Sequence, residues 1–200
     1  MDDKTRIADA TYSADLSGLK LDRSRMYSNC DIYFFEAQNI LKASLKYLSV
    51  IPSKKLAPFD YFFFVDLHKE LFGDVWDWAG EIRKVKLNFG VKPYLVSTEI
   101  KILVDDLNFW HTHKTFNTVE IATRLHHKAV VIHPFLNGNG RWSRMLANIY
   151  LKQNGLEPTR WNENLLAQEN IHRSDYISAL KKADNDDYSD LIKMQSNLIT

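Results

Sequence analysis

The twelve residues from His133 to Arg144, HPFLNGNGRWSR, place a histidine, two asparagines, two glycines and two arginines directly after the apolar run AVVI. Such a segment gives up core-forming side chains for donors, backbone freedom and positive charge. The flanking periodicity is helical on both sides, so the second helix begins within NGNGR and its first backbone N–H groups lack intrahelical acceptors. Unpaired donors and the helix dipole make such an N-terminus an anion site. Gly138 and Gly140 admit a bulky oxyanion and permit positive φ. Asn139 is expected to add a side-chain amide donor, and Arg141 a permanent forked charge. Arg144, three positions on, is close to Arg141 in angle and suits a more distal phosphate. No GK[ST] occurs, so this is not a Walker loop. His133, with an ordinary pKa near ~6.5, can accept a proton from a hydroxyl at neutral pH. A base beside a phosphate-binding helix end is the minimum set for attack of an alcohol on a nucleotide phosphate. Each residue alone also has a plainer reading as turn or surface charge; in this order, between two helices, they form a site.

The elements that must hold this segment are mostly helical. Residues 1 to about 28 read as polar and loosely structured. From Asp31, Ile32, Phe35, Ile40, Leu41 and Leu45 fall near helical spacing. A second helix carries Phe59, Phe62, Phe63, Leu67 and Leu71 inward and stops at Gly73. VKL and YLV, joined across NFGVKP, suggest a small β-hairpin. Ile100, Leu103, Leu107 and Trp110 give a third helix. Asn117 with Glu120 resembles a capping box opening a fourth through Ile121, Leu125 and Ala129. After the motif, Trp142, Met145, Leu146, Ile149 and Tyr150 repeat at helical spacing until Asn154–Gly155. Two more helices are expected around LLAQENI–YISALKKAD and SDLIKMQSNLI.

With 26 basic and 25 acidic residues among 200, anion binding must be local, and neither a nucleic-acid surface nor a membrane span is expected. The single cysteine, Cys30, leaves no intramolecular disulfide and suits a reducing, cytoplasmic compartment. The polar N-terminus lacks the layout of a signal peptide.

At His133, Phe135, Gly138, Asn139, Gly140, Arg141 and Arg144 the sequence resembles the Fic family signature H-x-F-x-[DE]-G-N-G-R-x-x-R. VWDWAGEIR (residues 75–83) and RSDYISALKKADNDDYSDLI extend the resemblance over roughly residues 60 to 195. The N-terminal part resembles the bacterial subgroup called mobile mystery protein B. The resemblance implies an all-α Fic fold, a helical bundle with a small β-hairpin flap. It divides the chain into an extension, residues 1–58, whose helix packs on the core, and a Fic domain, residues 59–200, with its catalytic loop at 133–144. It implies a protein adenylyltransferase that moves AMP from ATP to a Ser, Thr or Tyr hydroxyl of a target protein. His133 would be the general base, Gly138, Asn139 and Gly140 the anion hole, and Arg141 and Arg144 the holders of the outer phosphates. Leu87, Asn88, Phe89, Gly90, Val91, Lys92, Pro93 and Tyr94 would align the target's backbone. Alternatives are another nucleotide donor, removal of AMP, or a non-catalytic nucleotide-binding module with an antitoxin-like regulator.

Asn137 departs from the signature's acidic residue, which holds magnesium. As an Mg²⁺ or Mn²⁺ ligand an amide brings no charge. Many Fic proteins are restrained by a glutamate paired with the second motif arginine, here Arg144. Glu36 is the candidate, against a plainer reading as a solvated helix charge. TRWNEN, residues 159–164, is a second, coincidental match. His126 and His127 are adjacent and so cannot share a ligand face; they read as one packed and one exposed histidine. Trp76 and Trp78 read as core anchors, and KKADNDDYSD as a turn rather than a calcium loop.

Overall fold

Several helix starts in this chain lie where a side-chain oxygen can accept from an otherwise unpaired N–H. The structure, a computed structural model, describes residues 16–22, 27–162, 166 and 171–197. α1 (Asn29–Leu48) opens at Ser28, which exchanges hydrogen bonds with Asp31 in a reciprocal box. α2 (Tyr61–Phe72) opens at Asp60, whose Oδ1 accepts from the Phe63 N–H at 2.7 Å. α4 (Thr118–Ile132) opens at Asn117, which accepts from the Glu120 N–H at 3.0 Å. Glu120 itself turns to Arg124, so only half of the expected box forms. α3 (Val96–His113), α5 (Asn139–Gln153), α6 (Ile171–Ala183) and α7 (Ser189–Asn197) complete the helices.

α5 is the centre. Residues 142–151 are buried on every face, as a helix inside a core must be. α4 packs along it, α3 lies against α4, and α1 and α2 both rest on α5. Ile32, Ala43 and Tyr47 of α1 share one buried cluster with α2 to α5. A smaller cluster of Tyr176, Ala179, Ala183, Tyr188 and Leu191 joins α6 to α7, and α7 to α4. On α2, Phe64, Leu67, Leu71 and Phe72 are fully buried. At roughly 1.5–3 kcal/mol each, they fix α2 beneath the loop that joins α4 to α5.

Four expectations change. Phe62 is 73% exposed, because the inward stripe of α2 runs through Phe63 and Phe64 instead. On α1 the buried positions are Ile32, Glu36, Asn39, Ala43 and Tyr47, which leaves Leu41 and Leu45 outward. The hairpin does not form: among the described residues there is no strand, only an isolated bridge between Leu19 and Trp76. Pro93 has no N–H for a ladder and instead starts a single 3-10 turn, Pro93–Leu95, that runs straight into α3. His127 is buried along with His126, held by Tyr188 and Asp184. Of the expected LLAQENI helix, residues 165 and 167–170 lie outside the described residues. No helix among the described residues is long and apolar enough to cross a membrane.

Candidate functional site

The loop between α4 and α5 is six residues long, 133–138. It is pinned from below. The Phe135 ring is fully buried, stacked on His68 at 3.6 Å and edge-on to Trp142 at 5.1 Å. His68 is also inaccessible, and its hydrogen bonds define its tautomer. The Gly80 N–H donates to Nδ1 at 3.0 Å, so Nε2 carries the proton and donates to the Asn137 carbonyl at 3.0 Å. Burial lowers the His68 pKa to about 3, which keeps that arrangement neutral.

Gly138 caps α5 at φ 76° and lies over the Phe72 ring, where an added Cβ would fall 2.6 Å from a ring carbon. The backbone conformation and the contact both require glycine. The first bond into α5 runs from the Trp142 N–H to the Gly138 carbonyl at 3.0 Å. The N–H groups of Asn139, Gly140 and Arg141 therefore have no intrahelical acceptor, and no side chain caps them. Three free N–H groups in one turn are what an anion would need, and one side chain differs from the sequence expectation. The Asn139 side chain is not an additional donor to such an anion. Its Oδ1 accepts from the Phe135 N–H at 2.9 Å and its Nδ2 donates to the Phe135 carbonyl at 2.8 Å, closing the turn from inside.

His133 terminates α4 in the left-handed region, φ 51° and ψ 61°, with its N–H on the Ala129 carbonyl. The Phe89 ring meets its imidazole edge-on at 5.3 Å. Burial lowers its pKa to about 4; the Val130 carbonyl opposes this and the nearby Arg83 charge adds to it. At neutral pH the imidazole is unprotonated and able to take a proton.

Arg141 and Arg144 both line a cavity of about 590 Å³, with Tyr33 and Ile40 of α1 on its far wall. The Arg144 guanidinium lies against Gly140, near the start of α5. Arg141 lies over the Phe72 ring at 4.7 Å and bonds the Glu36 Oε2 at 2.5 Å. Glu36 is neither a solvated charge nor paired as expected with Arg144. Its side chain is 4% exposed, and its other oxygen accepts from the Trp76 Nε1–H at 2.6 Å. The register of α1 decides this: the buried stripe that carries Ile32 and Tyr47 also carries Glu36, and aims it at the first turn of α5. The competing TRWNEN match has Glu163 and Asn164 outside the described residues.

Sequence reasoning did not single out Arg83 or His68. Arg83 was visible only as the last letter of VWDWAGEIR, and His68 only as a helix residue. Their contacts to the loop, Arg83 to the His133 carbonyl and His68 to the Asn137 carbonyl, span 50 and 69 positions and so leave no local signal.

Residues 58–151 match the model of the Fic/DOC family. The chain carries a Fic domain. The protein adenylyltransferase fic-1 of Caenorhabditis elegans is 34% identical over 99 residues, 47% of this chain and 19% of that protein. Matched stretches span less than a third of the curated relatives' own length. Among solved structures, C. elegans Fic-1 superposes with TM-score 0.68 at 23% identity, covering 99% of this chain and 61% of that one. BepC of Bartonella tribocorum, solved with bound AMPPNP, gives TM-score 0.66 at 17% identity over 94% and 95% of the two chains. These likenesses establish a shared fold around the Fic loop.

Proposed function

We propose that this Fic domain transfers AMP from ATP to the hydroxyl of a Ser, Thr or Tyr on another protein. One observation carries the reading: a neutral histidine and an uncapped helix N-terminus stand at the two ends of a single six-residue loop. The target oxygen attacks the α-phosphorus and its proton passes to the His133 imidazole. The new O–P bond forms as the bridging bond to the β-phosphate breaks, and pyrophosphate leaves with the electron pair. The N–H groups at the start of α5 oppose the charge that builds on the phosphoryl oxygens. Arg141 and Arg144 take the outer phosphates, while residues 87–94 present backbone groups to an extended target segment. The negative charge of bound nucleotide raises the His133 pKa from its low value toward neutrality, closer to what a general base requires. The relatives' names as adenylyltransferases and the AMPPNP bound to BepC support this reading. An exposed, unpaired Cys30 suits a reducing cytoplasm.

The residues present do not fit a resident magnesium site. Among the described residues no group of three His, Cys, Asp or Glu is placed to hold a metal. The Asn137 Oδ1, a neutral donor, accepts from the Gly138 N–H at 2.6 Å. An ion that arrives with ATP would rest mainly on phosphate oxygens. Asn137→Asp therefore lowers the magnesium or manganese concentration needed for half-maximal labelling several-fold; an unchanged metal titration would remove Asn137 from the metal's surroundings.

The test uses α-³²P-labelled ATP with the purified protein and with His133→Ala. Label on the protein itself or on lysate proteins is expected to fall by about 10²–10⁴-fold in the variant, while calorimetry shows nucleotide binding retained. Undiminished labelling in His133→Ala ends the proposal.

A further inference from the structure

Arg83 is 3% exposed and, among the described residues, its guanidinium bonds only carbonyl oxygens. Nε donates to the His133 carbonyl at 2.6 Å, Nη1 to Val85 at 3.0 Å and Nη2 to Val91 at 2.5 Å. Ile132 lies within reach of Nη2 at 3.5 Å. The Arg83 backbone N–H donates to the Pro134 carbonyl at 3.0 Å, and Val91 N–H reaches the Ile132 carbonyl at 3.4 Å. One planar cation therefore ties both ends of the 84–92 loop to the last carbonyls of α4. Those carbonyls carry the negative end of the helix dipole, which compensates a desolvated guanidinium. Gly90 closes the cluster: a Cβ there would stand 2.6 Å from the His133 Cβ and 2.8 Å from the Arg83 Nη2.

We propose that Arg83 is a positioning residue: its fork sets the spacing between the segment at 87–94 and the imidazole of His133, in place of the strand ladder that this segment lacks. This rests on the proposed AMP transfer for its functional consequence, although the positioning itself does not. Lysine keeps the charge and loses the fork, because a single ammonium cannot hold three carbonyls in a plane. Charge alone is therefore separable from geometry.

The experiment compares wild type with Arg83→Lys. In the wild-type protein, NMR should show a slowly exchanging Arg83 Nε–H with a nuclear Overhauser contact to His133, and a protected Val91 amide. In Arg83→Lys, the Val91 amide exchanges at least tenfold faster, and His133 titrates with a changed midpoint. Labelling drops by about a hundredfold, as expected when a reacting group is misplaced by about 1 Å, and the nucleotide Kd stays within about twofold. A rapidly exchanging Nε–H in wild type would overturn the inference, and so would a folded Arg83→Lys protein with unchanged Val91 exchange and His133 titration. If wild type transfers no AMP, the proposed function fails while these NMR readings still decide the role of Arg83.

Discussion

Glu36→Gly is expected to raise AMP transfer by about ten- to a hundredfold, which corresponds to removing roughly 1.4–2.8 kcal/mol of restraint. Both oxygens of Glu36 are occupied, one by the Trp76 indole and the other by Arg141. While that pair holds, the Arg141 guanidinium is committed to a carboxylate and its charge is neutralised where the outer phosphates would bind. ATP must either displace the carboxylate or bind without Arg141. Displacing it is costly, since it leaves the Glu36 carboxylate buried without its ion partner. On this reading Glu36 acts through the first motif arginine, Arg141, with which it pairs. Glycine within α1 also costs about 1 kcal/mol of helix stability, so Glu36→Gln is the control. Glutamine still accepts from Trp76 but presents an amide, without charge, to Arg141. Equal activation by both substitutions identifies the carboxylate charge as the restraint, and activation by glycine alone identifies mobility of α1. If neither raises labelling above wild type, Glu36 is a structural ion pair and does not restrain the site.

What could be read from the sequence was local. The loop from His133 to Arg144 brings its donors together within twelve consecutive residues, and a glycine between helices announces its own backbone requirement. The stripes of α3, α4 and α5 follow from a period that no tertiary contact overrides, because α5 is buried on all sides and any phase of its pattern faces core. Failures arose where a partner lay far along the chain. Glu36 meets Arg141 across 105 positions and Trp76 across 40, and nothing near Glu36 distinguishes it from a surface charge. Asn139 resembles an anion donor until the buried Phe135 backbone is seen to need both halves of its amide. The hairpin failed for a similar reason. VKL and YLV have strand composition, but a proline without an N–H opens a helical turn at YLV, and Arg83 takes the Val85 and Val91 carbonyls.

Mild acid should destabilise the domain, by at least about 4 kcal/mol between pH 7.5 and pH 5. His68 and His126 are both fully buried. Burial lowers the first to about 3 and the second well below its ordinary value, with the Arg144 charge as a further cause for His126. A histidine whose folded pKa is depressed binds its proton only in the unfolded chain once the pH drops below ~6.5, so stability is lost on acidification. Each such group contributes about 1.4 kcal/mol per pH unit, so His68 and His133, lowered to about 3 and about 4, together give about 4 kcal/mol over roughly 1.5 units, and His126 and His127 add to it in the same direction. That is a large share of the roughly 5–15 kcal/mol available to a domain. The exposed Asp31 and Asp187 have lowered values through their serine partners, and their contribution disappears only below the ordinary carboxylate range. The window between pH 6.5 and 5 therefore belongs to the histidines. Urea unfolding at pH 7.5 and pH 5 measures the loss, and His68→Gln separates its share. Glutamine can still donate to the Asn137 carbonyl and accept from the Gly80 N–H, but it does not titrate. It should keep the loop in place and remove about 2 kcal/mol of the pH dependence, the share of one such group. An equal urea midpoint at both pH values would mean that protons reach these imidazoles without opening the fold. The neutral contact beneath Asn137 would then not be what holds the anion loop.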